Sequence, residues 1–84
     1  MTMDPKMAKV KVLEALRASA MDGYRLMQFA GLSRDELQAA IDGLGSVVRV
    51  DGGYNKDIGE RYFSILPSDL GRAEQTISIL SSSA

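Results

Sequence analysis

The segment from Tyr24 to Leu66 constrains the fold more than any other part of the chain. It runs through a short apolar helical pattern, one glycine at Gly31, a capped helical pattern and two glycines at Gly43 and Gly45. A β-branched run, a polar glycine-bearing loop and a second strand-like run follow. Two short helices joined by a tight turn and followed by a hairpin have few ways to bury their apolar faces together. That order of elements predicts a small α+β domain, mainly α.

Helix 1 is predicted over about residues 5–19. Asp4 suits an N-cap and Pro5 the first helical position, where a missing N–H costs nothing. Met7, Val10, Leu13 and Leu16 recur at helical spacing, widened by Val12 and Ala15. Met21-Asp22-Gly23 breaks the run. Helix 2 is predicted over about 24–30, with Leu26, Met27, Phe29 and Ala30 as its buried side and Gly31 as the left-handed residue that ends it. Helix 3, about 34–43, has the clearest start. Ser33 and Glu36 form an S-x-x-E capping box, with Leu32 and Leu37 placed as the hydrophobic staple. Leu37, Ala40, Ile41 and Leu44 make its apolar face, and Gly43 and Gly45 end it. The hairpin is predicted over about 46–66. Its strands are Val47-Val48-Arg49-Val50, rich in β-branched residues, and Arg61-Tyr62-Phe63-Ser64-Ile65-Leu66. Pro67 stops the second strand, and a last helix is predicted over about 69–80.

The chain of 84 residues fits one domain with a small core. It contains no cysteine, which excludes disulfides and thiolate metal sites, and no histidine, the commonest general base and transition-metal ligand. The serines therefore have no imidazole to activate them, and neither a P-loop nor a G-x-G-x-x-G turn is present. No enzymatic activity and no cofactor is expected. Asp51, Asn55, Asp57 and Glu60 loosely resemble a calcium-binding run, but Gly53 occupies a ligand position and the Glu comes too early, so no metal site is expected. The apolar runs are too short to span a bilayer, and residues 1–6 lack the apolar stretch of a signal peptide, so a cytoplasmic location is expected.

The order of elements resembles the winged-helix branch of the helix-turn-helix superfamily, as found in small prokaryotic transcriptional regulators. The resemblance covers about Val10 to Leu66. It is carried by Val12-Leu13-Glu14-Ala15-Leu16, by Gly31-Leu32-Ser33-Arg34-Asp35-Glu36-Leu37, by Leu44 leading into Val47-Val48-Arg49-Val50, and by the wing closing at Arg61-Tyr62-Phe63. It implies a three-helix bundle with a two-stranded wing and a C-terminal helix. It also implies a double-stranded DNA partner, with helix 3 in the major groove and the wing on the backbone.

On that model the outward face of helix 3 carries Arg34, Asp35, Gln38, Ala39 and Asp42. Arg34, Gln38 and Ala39 are the expected base contacts, matched to guanine, adenine and a thymine methyl. Ser33, Arg49, Lys56, Arg61, Lys6 and Lys9 are the expected backbone contacts, with Tyr54 or Asn55 at the tip of the wing. Charge argues the other way. The formal net charge is −1, and Asp35 and Asp42 lie on the face that would meet phosphates. In the wing, Asp51, Asp57 and Glu60 offset Arg49, Lys56 and Arg61. The alternative expectation is a protein-interaction or assembly module whose acidic helix 3 meets a basic partner. The lysines of helix 1 are equally explained as a solvated face.

The last helix carries Leu70, Ala73, Ile77 and Leu80 as a stripe on an otherwise polar element. Such a stripe needs a partner surface. It packs either on helix 1 of its own domain or on the same helix of a second chain. Ile79, off the stripe, tips the expectation toward a homodimer.

Overall fold

A computed structural model of the chain describes residues 4–52 and 56–82. Four helices and three short strands follow in the order α1 (Pro5–Ala18), β1 (Met21–Asp22), α2 (Gly23–Ala30), α3 (Arg34–Leu44), β2 (Arg49–Asp51), β3 (Tyr62–Ser64) and α4 (Leu70–Ser82). Short 3-10 turns lie at Gly45–Val47, Ile58–Glu60 and Pro67–Asp69. The strands form an antiparallel sheet of order β1-β3-β2. Met21 pairs with Phe63 and Asp22 with Tyr62 on one side, and Arg49 with Ser64, Val50 with Phe63 and Asp51 with Tyr62 on the other.

Local signals account for the helix ends. The Asp4 side chain accepts the Lys6 amide at 2.8 Å, and Pro5 stands in the first turn. The capping box closes reciprocally: the Ser33 amide donates to Glu36 Oε1 at 2.8 Å and the Glu36 amide to Ser33 Oγ at 3.2 Å. Gly31 adopts φ 70° and ψ 38°, the left-handed conformation that ends α2. It turns the chain directly into the cap of α3, so the angle between the two helices is set by residues adjacent in sequence.

The core sits where α1 crosses α2, α3, α4 and the sheet. Leu13, Leu26, Leu37, Val12 and Phe63 are fully buried at its centre. Phe63 comes from the middle strand and lies fully buried in the core. The burial in α2 differs from expectation. That helix buries Gly23, Leu26 and Ala30, while Met27 only packs against the core from its edge. Phe29 is 71 % exposed, not buried. An eight-residue helix has room for one narrow apolar stripe, and Phe29 falls outside it.

Three further differences from expectation concern the connections between the helices and the sheet. Met21-Asp22 does more than break a helix. It pairs as β1, and the Asp22 side chain caps α2 by accepting the Arg25 amide at 2.8 Å. Val47 and Val48 are both buried below the sheet, and β2 starts only at Arg49. Gly45 at φ 60°, ψ −132° produces this shift by turning the end of α3 into a 3-10 turn. The polar connection between the wing strands holds a 3-10 turn at Ile58–Glu60 with Ile58 buried, and it packs on α2. Tyr54 and Asn55, expected at the wing tip, lie outside the described residues.

The C-terminal stripe is largely used within the chain. Helix α4 packs on α1. Ala73 is fully buried, Ile77 packs against the core, and Arg17 Nη1 meets Glu74 Oε1 at 2.8 Å across the seam. Ala73 has no surface left to offer a second copy, so it leaves the expected dimer contacts. Leu70 remains 39 % and Ile79 59 % exposed, and Leu80 is half-buried. No described helix is long and apolar enough to cross a membrane.

Candidate nucleic-acid interface

The apolar face of α3 is spent on the core through Leu37, Ala40, Ile41 and Leu44. At 3.6 residues per turn the opposite face is centred on Asp35 and Asp42. Arg34 and Gln38 lie on one flank of that centre and Ala39 on the other. All five are exposed. Ala39 faces a shallow groove between α1 and α3, lined also by Pro5, Ala8, Lys9, Asp35 and Glu36.

The flank carrying Arg34 turns toward the wing. Arg34 Nη2 stands 2.9 Å from Asp57 Oδ2. The same oxygen accepts the Gly59 amide at 3.1 Å, so Asp57 caps the 3-10 turn as well as pairing with α3. One turn along α3, Gln38 Nε2 donates to Asp42 Oδ1 at 2.9 Å. Arg34 and Gln38, two of the three expected base-reading residues, thus have carboxylate partners in the free chain. Asp57, expected from the sequence only as an offsetting charge, makes both of these contacts. The legible signal was Asp57-Ile58-Gly59, an Asx-type turn with an apolar residue at its centre.

Two of the wing cations, Arg49 and Arg61, are also engaged. Arg49 Nε lies 3.4 Å from Asp51 Oδ2 within β2. Arg61 Nε donates to the Lys56 carbonyl at 3.3 Å, and the stem of Arg61 lies over Gly52. Lys56 is exposed on the same loop. The lysines of α1 separate. A methyl at Gly43 would fall 2.5 Å from Lys9 Cε, so Lys9 lies along the last turns of α3 and is half-buried there. Lys11 stands on the other side of α1, beside Glu14, Ala15 and Phe29. Helical geometry puts Lys6 on the Lys9 side. The basic residues of α1 therefore do not form one patch.

Two glycines hold the wing base against α2. Gly23 abuts the Ile58 carbonyl oxygen and the Gly59 Cα, and its amide donates to the Arg61 carbonyl at 2.8 Å. A Cβ at Gly59 would fall 2.6 Å from the Tyr24 ring. The close approach of helix to turn places Asp57 within reach of Arg34.

Four helices with a small three-stranded antiparallel sheet define an α+β domain, mainly helical, that fits a winged-helix-like fold. The chain is similar to the crystal structure of the circadian clock associated protein Pex from Anabaena. The TM-score is 0.69 and the identity 17 %, over 98 % of this chain and 81 % of that one. At that identity the likeness concerns the fold. No protein-family model matches the sequence, and no curated protein sequence matches it.

Proposed function

We propose that the chain is a DNA-binding winged-helix protein acting as a transcriptional regulator, with α3 in the major groove and the wing on the backbone. The observation that carries this reading is the 2.9 Å contact between Arg34 and Asp57. It makes the outward flank of α3 and the base of the wing one continuous surface, the surface a winged helix offers to a duplex. Arg34 and Gln38 take base edges from one flank of α3 and Ala39 from the other. Ser33, Arg49, Lys56 and Arg61 take phosphates, with Lys6 and Lys9 at the margin. A second copy joined through α4, where Leu70 and Ile79 are exposed on different sides of the helix and Leu80 is half-buried, would present two such surfaces to a palindromic site.

The test is binding to a mixed pool of duplex DNA at low salt, repeated over a salt series. Binding falls with salt, Arg34→Ala weakens it, and Lys56→Ala lowers the slope of log K against log salt by about one. Undetectable binding at low salt, where cation–phosphate attraction is strongest, refutes the reading.

A second reading is favoured by one observation. The exposed centre of α3 is acidic, with Asp35 and Asp42 foremost and the Gln38 amide turned to Asp42. That face suits a basic protein surface. A chain that ignores DNA at low salt but binds a basic partner, and loses it on Asp35→Asn with Asp42→Asn, would have this function instead.

A further inference from the structure

Asp57 serves two contacts with a single carboxylate oxygen. Its Oδ2 accepts the Gly59 amide at 3.1 Å, which starts the 3-10 turn, and meets Arg34 Nη2 at 2.9 Å. The first contact fixes where the carboxylate stands, because the turn is anchored by buried Ile58 and by Gly23 against its backbone. The second contact puts that fixed negative charge on the guanidinium at the start of α3. The two side chains stay 56 % and 38 % exposed, so the pair sits in water and opens at little cost.

We propose that Asp57 is a built-in competitor for the DNA acceptor of Arg34. It holds and neutralises Arg34 in the free protein, and Arg34 engages a duplex only by leaving it. The inference rests on the DNA-binding reading and says how that same site is restrained. A guanidinium paired to a carboxylate offers little net charge to a phosphate backbone, so attraction to arbitrary sequence is weak. A guanine, which presents two acceptors to the planar fork of an arginine, and a backbone phosphate alike must displace this carboxylate before they engage Arg34. Asp57 thereby lowers the affinity of the chain for DNA. Asp51 beside Arg49 differs, since the capping contact that anchors Asp57 has no counterpart there among the described residues.

Asp57→Asn separates the two contacts. The asparagine oxygen still accepts the Gly59 amide, as Asn caps as well as Asp does, while the charge on Arg34 is gone. Affinity for a mixed-sequence duplex pool is measured at low salt for the full chain, Asp57→Asn, Arg34→Ala and the double variant, with a thermal melt of each to verify folding. Asp57→Asn is expected to bind roughly twofold to fivefold tighter, the ratio to which an exposed ion pair corresponds. The gain should vanish in the Arg34→Ala background. An equal gain in both backgrounds means only a generic charge effect and overturns the inference. So does no gain, or weaker binding, which would make Asp57 a positioning residue for Arg34. Where Arg34→Ala binds too weakly to compare, the charge-matched Asp51→Asn takes its place, and a gain equal to that of Asp57→Asn is the overturning result. Parent binding without this coupling leaves the DNA reading standing. Absence of binding by parent and Asp57→Asn alike refutes that reading and the inference together.

Discussion

Replacing Gly23 with alanine tests how α2 is joined to the wing. An added Cβ falls on the Ile58 carbonyl oxygen, 2.7 Å from Gly59 Cα and 2.9 Å from the Ile58 carbonyl carbon. Unstrained carbon–carbon contacts lie at about 3.5–4.0 Å, so the 3-10 turn has to retreat by about 1 Å. Two features oppose that movement. Ile58 is buried in the core, and the Gly23 amide is bonded to the Arg61 carbonyl at 2.8 Å on the same seam. The obstacle is backbone, with no flexible side chain to swing aside. Forcing a methyl into such a contact costs about 1–3 kcal/mol, of which the better helix propensity of alanine returns about 0.5 kcal/mol. A net loss of about 1.5 kcal/mol lowers the melting midpoint of a domain this size by about 6–12 °C. Helical circular dichroism during a thermal melt reads the shift. A urea titration should show an earlier midpoint with unchanged slope, the mark of lost stability without a change in the surface exposed. A Gly23→Ala midpoint within about 2 °C of the parent would refute the claimed contact.

Gly71→Ala is the converse: nothing lies within 4 Å of the added Cβ in α4, and the substitution should stabilise by about 0.5 kcal/mol in the same melt. Ser33→Ala opens the capping box of α3 and should cost about 1 kcal/mol, with Ser33→Asp recovering most of it. Phe29→Ser removes a large apolar side chain yet should change stability by less than about 0.5 kcal/mol, because the ring is exposed. A loss of several kcal/mol in a urea titration would mean that Phe29 is core after all.

The sequence was legible wherever a signal and its effect lie within one helical turn. Asp4-Pro5, Ser33-Leu32-Glu36-Leu37 and Gly31 announced the ends of three helices, and the structure realises each as a hydrogen-bonded cap or a left-handed turn. The β-branched run and the Arg61–Leu66 run announced a hairpin, although its first strand begins two residues later than expected. The candidate site was legible as a face. Helical periodicity alone put Leu37, Ala40, Ile41 and Leu44 inward and left Arg34, Asp35, Gln38, Ala39 and Asp42 outside.

The sequence by itself therefore determined the order of elements, the caps and turns that separate them, and the acidic character of the outward side of α3. Those features depend on backbone geometry and on hydrogen bonds between near neighbours. Only the tertiary structure decided the rest. Met21-Asp22 is a strand because Phe63 and Tyr62 arrive beside it, and two residues carry no periodicity of their own. Phe29 faces water because it lies outside the narrow stripe that α2 packs on the core, and which stripe that is depends on surfaces far apart in the chain. Ala73 belongs to the domain's own interior because α1 offers α4 a surface to cover. Arg34 meets Asp57 because the glycine contact at Gly23 draws the 3-10 turn against α2. Each of these outcomes depends on which distant surfaces meet when a small core closes, and no local pattern in the chain encodes that.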